Sequence, residues 1–185
     1  MSLRTIACSL ILAATTLITS APAQQPAAPA GPPPSPAATA SVTLAGKSIT
    51  IHYSAPSMRG RKIMGALVPF AQVWRTGAND ATALSTPVAL TIGTLTVPAG
   101  DYTLYSLPSA DPAKWLLIVN KQTRQWGTEY HPEQDLGRTL LQHATLPTPQ
   151  EVMSISFEHP SKDNKSAELH IRWETTDEWI KVTAK

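Results

Sequence analysis

The densest run of chemically able side chains is Val73-Trp74-Arg75-Thr76-Gly77-Ala78-Asn79-Asp80. An indole, a guanidinium, a hydroxyl, an amide and a carboxylate follow one another along it. A guanidinium is a planar fork of donors that fits a carboxylate or a phosphate. Asn79 and Asp80 can orient hydroxyl groups, and Trp74 can stack on a ring. The structural alternative makes Trp74 a core plug, pairs Arg75 with a carboxylate such as Glu129, and has Asn79 cap a turn. Gly77 is expected to let the backbone turn sharply at no steric cost.

A second constellation, Trp126-Gly127-Thr128-Glu129-Tyr130, lies in the longest irregular stretch, between Asn120 and Arg138. Two aromatic rings and a carboxylate on a loop suit a sugar, or they pack that loop onto a sheet. Arg59, Arg61 and Lys62 could add anion affinity or form a solvated loop. Asp80 and Glu129 could make a carboxylate pair of the glycosidase kind. No Gly-x-Ser-x-Gly motif, phosphate-cradling glycine loop or dinucleotide fingerprint is present. The five histidines are His52, His131, His143, His159 and His170, and none forms a short-range metal clip. His52 and His170 fall on the polar phase of their strands. They are expected at the surface, unless those strands are neighbours and the two rings meet to bind a metal or shuttle a proton.

The elements that must position these groups are strands. Ile49, Ile51 and Tyr53 alternate with Thr50, His52 and Ser54. Thr82 to Thr86, Val88 to Ile92, Asp101 to Leu107 and Glu151 to Phe157 read the same way. Glu168 to Glu174 and Trp179 to Val182 complete the set, and Leu136 to Leu146 is read as a strand centred on Leu141. Ile92-Gly93-Thr94-Leu95 has the form of a tight hairpin. Val97-Pro98-Ala99-Gly100 is a turn. Trp115 to Val119 is an unbroken apolar run, as expected of a strand buried on both faces. Ile63 to Val68 fits either a short strand or a single helical turn. No helical repeat is present, so the fold class is all-β: one antiparallel sandwich of jelly-roll character.

The chain has 185 residues and begins with a basic Met1-Ser2-Leu3-Arg4, followed by an apolar run from Ile6 to Ile18 and then Ala21-Pro22-Ala23. This is the pattern of a secretory signal over residues 1–23. The run is too short to span a bilayer comfortably. Its removal takes away Cys8, the single cysteine, and with it thiol chemistry. Residues 24–40 are rich in Pro and Ala and are expected to be a disordered linker. Residues 41–185 then form the folded domain. With 15 Lys and Arg against 13 Asp and Glu and no basic stripe, nucleic acid is an unexpected partner. Location is expected to be periplasmic or secreted, with no stable membrane span after cleavage, no cofactor and no metal.

Five motifs occur in order: Tyr53-Ser54-Ala55-Pro56-Ser57, Arg59-Gly60-Arg61-Lys62-Ile63, Val73 to Asn79, Val97 to Gly100, and Trp126 to Tyr130. In these the chain resembles the bacterial domain of unknown function 2911 family of exported, single-domain proteins, over about Ser41 to Val182. Ala55 stands where the family pattern implies an arginine, and Asp80 where it implies a glutamate. The resemblance implies no established activity. The residues themselves favour a non-catalytic module holding a small polar or anionic ligand, or a glycan, in a cleft between the two constellations. Trp74, Arg75, Asn79, Asp80, Trp126, Glu129 and Tyr130 would contact it. The alternatives are an extracytoplasmic hydrolase using Asp80 and Glu129, or a structural interaction domain of the envelope.

Overall fold

The computed structural model describes residues 35–185; the expected signal and most of the expected linker lie outside them. Two antiparallel sheets face each other. The larger runs β1 (Ala37–Leu44), β2 (Lys47–Ser54), β3 (Thr82–Thr86), β6 (Gly100–Leu107), β7 (Leu116–Asn120) and β8 (Asp135–Leu140). The smaller runs β5 (Leu95–Val97), β4 (Leu90–Ile92), β10 (Ser166–Ala184) and β9 (Gln142–Glu158). The all-β sandwich expected from the alternation is therefore the fold. No described helix is long and apolar enough to cross a membrane.

Period-two alternation sorts side chains to one face. Ile49 and Ile51 from β2, Leu84 from β3 and Leu104 from β6 meet Ile155, Leu169, Ile171 and Trp173 from the other sheet in one buried core. Each such side chain contributes roughly 1.5–3 kcal/mol by leaving water. The β1–β2 hairpin turns through Ala45 and Gly46, whose φ values of 49° and 73° match a primed two-residue turn. The predicted hairpin at Gly93-Thr94 is present, with Ile92 paired to Leu95.

Several boundaries differ from the sequence reading. β1 begins at Ala37, so the last residues assigned to the linker pair with Ser54 and Tyr53 instead. Leu141 is not the middle of a strand; it is the buried joint at which the chain leaves the larger sheet for the smaller, its N–H donating to the Trp115 carbonyl at 2.9 Å. Glu168 to Glu174 and Trp179 to Val182 are one long strand, β10, bulged between Arg172 and Thr176. Glu174 sits in that bulge at φ 56°, and its carboxylate takes the Met64 N–H at 3.0 Å. The Ile63–Val68 segment is a turn, with Ile63 and Val68 buried.

The sheets are tied along one edge. β9 is the edge strand of the smaller sheet. The segment after β2 runs beside it: Met153 N–H donates to the Pro56 carbonyl and Met58 N–H to the Glu151 carbonyl. That pairing covers backbone groups an edge strand would otherwise expose.

Candidate functional site

The two loop constellations come together, but as one hydrogen-bonded unit. Asp80 and Trp126 form an isolated antiparallel bridge. Gly127 N–H donates to the Asn79 carbonyl at 3.1 Å and Ala81 N–H to the Gln125 carbonyl at 3.3 Å. Where these bonds run, the two loops are joined backbone to backbone. The concave surfaces lie to either side.

On one side is a groove of about 400 Å³ bordered by Arg61, Leu67, Trp74, Arg75, Asn79 and Trp173. Trp74 stacks on Trp173 with ring centres 6.1 Å apart, and its Nε1 donates to the Gly77 carbonyl at 3.1 Å. The core-plug expectation for Trp74 is met on one face, while the groove uses its border. Arg75 follows on a segment held by the Trp74–Ser106 backbone bridge and the Thr76–Ser106 hydroxyl contact at 3.0 Å. Its stem lies against Gly127. Its Nε is buried with no hydrogen-bond partner, and among the described residues it makes no ion pair, with Glu129 or otherwise. Arg61 donates from Nε and Nη2 to the Met58 and Ser57 carbonyls, so it braces its own loop. Asn79 donates to the Ser54 hydroxyl and the Ser35 carbonyl, both at 3.3 Å.

Gly77 has a different task from the one its position suggested. The left-handed residues are Thr76 and Asn79, at φ 54° and 57°. Gly77 is needed for close approach: a Cβ there would lie 3.1 Å from the Ser54 carbonyl oxygen.

On the other side is a groove of about 600 Å³ on the outer face of the larger sheet, bordered by His52, Asp80, Ala83, Asp101, Arg124 and Gln125. Asp80 and Trp126 stand opposite each other in their bridge, so their side chains share a face. Trp126 is 49% exposed. Glu129 is exposed and is not among the residues bordering this groove.

Tyr130 is tied into the fold. Its hydroxyl donates to Asp135 at 2.7 Å and accepts from Arg138 at 2.9 Å, and its ring meets Tyr105 edge-on. Burial, then the Asp135 carboxylate, pushes its pKa up to about 12. Gln125 donates to Thr103 and Tyr105, and Tyr105 donates to the Glu129 carbonyl. The 121–134 loop thus lies over the outer face of the larger sheet, which is why β7 is buried on both faces.

A third cluster was not singled out from the sequence. His170, expected at the surface, is buried, and it lies on the smaller sheet while His52 lies on the larger. The rings do not meet; His52 contacts Thr39 instead. Because β10 bends at Glu174, Asp177 reaches back to His170 Nδ1 at 2.8 Å. Arg172 binds Asp177 and grips both oxygens of Glu158, holding the Glu158 carboxyl down at about 2. Glu158, His159 and His170 place ligand atoms within 4.8 Å of one another and could hold a metal ion. The β9–β10 hairpin register, with Glu158 opposite Glu168, is the signal that would have found them.

The chain belongs to a family of proteins of unknown function, DUF2911, whose pattern matches residues 35–182. No curated protein and no solved structure shows detectable similarity to the chain.

Proposed function

We propose that this is an exported, non-catalytic module that binds a small anionic ligand in the groove bordered by Arg61 and Arg75. The observation that carries this reading is half-buried Arg75, whose buried Nε has no hydrogen-bond partner among the described residues, in a groove where no carboxylate is among the bordering residues. Leaving a buried donor unpaired is costly, and a carboxylate or phosphate would satisfy it. Leu67, Val68, Pro69 and Trp74 set apolar surface beside Ser35, Gln72 and Asn79, so the groove offers a ligand both apolar and polar contacts beside its anion. The signal pattern over residues 1–23 supports export.

The test is thermal unfolding of the protein against organic acids, organic phosphates and inorganic phosphate. Ligand at a hundredfold excess over its dissociation constant adds about 2.7 kcal/mol of stability. The reading expects a shift with an amphiphilic anion that Arg75→Ala abolishes. A flat panel, or a shift that Arg75→Ala leaves intact, overturns it.

A second reading rests on the Asp80–Trp126 pair. An exposed indole beside a carboxylate that borders the larger groove suits a sugar face and its hydroxyls. Loss of an oligosaccharide-induced change in Trp fluorescence in Trp126→Ala would support it.

A further inference from the structure

We propose that Glu158, His159 and His170 form a binding site for a divalent transition-metal ion of the zinc class, with Asp177 as the residue that orients His170. The site lies on the β9–β10 hairpin, away from both grooves' proposed ligands.

His170 is the most buried member of the group. Its side chain is only 6% exposed. The two Asp177 carboxylate oxygens lie 2.8 and 3.1 Å from Nδ1, which matches an Nδ1–H donating to Asp177. Arg172 Nη2 also lies 3.1 Å from Nδ1, but that guanidinium is committed to Glu158 and Asp177. With the proton on Nδ1, Nε2 presents a lone pair. It is buried and has no hydrogen-bond partner. A carboxylate oxygen of Glu168, also an acceptor, lies 3.5 Å away. Two acceptors face each other, and a cation resolves the conflict. A carboxylate holding the far nitrogen of a ligating histidine is the usual outer-shell arrangement at metal sites. Trp179 stacks on the ring at 5.9 Å and fixes its plane.

The other two donors lie close to the His170 ring. A ring nitrogen of His159 and a Glu158 oxygen complete a group whose ligand atoms lie within 4.8 Å of one another. Closing them onto bonds of about 2.0–2.1 Å needs movement of His159, the most exposed of the three. Glu168 touches His159 Nδ1 at 2.7 Å, so each histidine has its own carboxylate. Arg172 engages both Glu158 oxygens, yet a carboxylate keeps further lone pairs for a metal. The charge also favours a cation: Glu158, Glu168 and Asp177 stand against the single guanidinium of Arg172. Two imidazoles and a carboxylate with an open position suit zinc.

The test uses the tag-free full chain, stripped with chelator, and Zn²⁺ alone by titration calorimetry, with Co²⁺ absorption as the coordination readout. One equivalent is expected, with visible bands typical of low-coordinate Co²⁺. His159→Ala, at an exposed position, should weaken Zn²⁺ binding by about tenfold or more while leaving the metal-free melting temperature unchanged. Asp177→Asn should weaken it by about 10–100-fold through the orientation of His170. No stoichiometric heat, or one equivalent bound equally by His159→Ala and Glu158→Gln, overturns the proposal. In that case the cluster is a purely structural hydrogen-bond network.

Discussion

Gly127 lies so close to Arg75 that a Cβ on it would fall 2.0 Å from Arg75 Cδ and 2.6 Å from the Asn79 carbonyl oxygen. The second loop therefore acts as the backing of the guanidinium, and only glycine permits it. The arginine can move; the carbonyl, which accepts the Gly127 N–H, cannot. Gly127→Ala should cost about 2 kcal/mol, the size of an overpacked contact, and should weaken anion binding as Arg75 is displaced. Chemical denaturation and a ligand titration on the same variant check both effects.

Arg75 itself should show opposite effects on function and stability. A half-buried guanidinium whose Nε has no partner among the described residues is a burden on the ligand-free fold. Arg75→Met keeps the stem against Gly127 and removes the charge. It should raise the stability of the free protein by about 0.5–1 kcal/mol while abolishing anion binding. Arg75→Lys should retain some binding, weaker by about tenfold, because an ammonium cannot make the bidentate contact. Calorimetric unfolding without ligand, followed by titration, separates the two.

Tyr53 clamps the sandwich. Its hydroxyl accepts the Ile155 N–H at 3.0 Å and donates to the Ile155 carbonyl at 3.4 Å, joining β2 of one sheet to the edge of the other. Tyr53→Phe leaves two backbone groups without that partner and should cost about 1–3 kcal/mol. Hydrogen exchange at Ile155 should quicken in step with the loss of stability measured by urea unfolding.

Glu178 sets an alkaline weakness. It is buried on β10, with Oε1 2.6 Å from His143 Nδ1 and Oε2 unpartnered. Burial, then the charge of Asp177, raises its pKa to about 8. The folded state therefore binds this proton more tightly than the unfolded chain does. The stability it confers is complete below the ordinary carboxyl range, and it is lost as pH rises to and through about 8. Glu178→Gln should flatten the fall in melting temperature between pH 5 and pH 9, leaving the variant about 2–4 °C above the parent at the alkaline end. A parallel decline in parent and variant would remove Glu178 as the cause.

Much of the fold was legible because alternation reports a half-buried strand directly. Ile49, Ile51, Met153, Ile155, Leu169 and Ile171 carry a period of two, and all are buried. Gly93 marked its hairpin because a two-residue turn needs positive φ there. The candidate loops were legible by composition, since Trp74 to Asp80 and Trp126 to Tyr130 hold unlike polar groups close together. Their relation was not. Backbone hydrogen bonds from Ala81 to Gln125 and Gly127 to Asn79 join them, and backbone groups are the same for every sequence. Periodicity also failed where faces are covered from outside. His170 lies on the polar phase of β10, yet the bend at Glu174 folds Asp177 and Trp179 over it. By itself, then, the sequence determined the strands, the sandwich, the family pattern and the residues able to do chemistry. Only the tertiary structure decided that Arg75 Nε has no partner among the described residues, that Tyr130 bonds Asp135 and Arg138, and that Glu158, His159 and His170 come together. Those outcomes depend on register, strand bending and loop docking, in which residues far apart in the chain compete for the same neighbours.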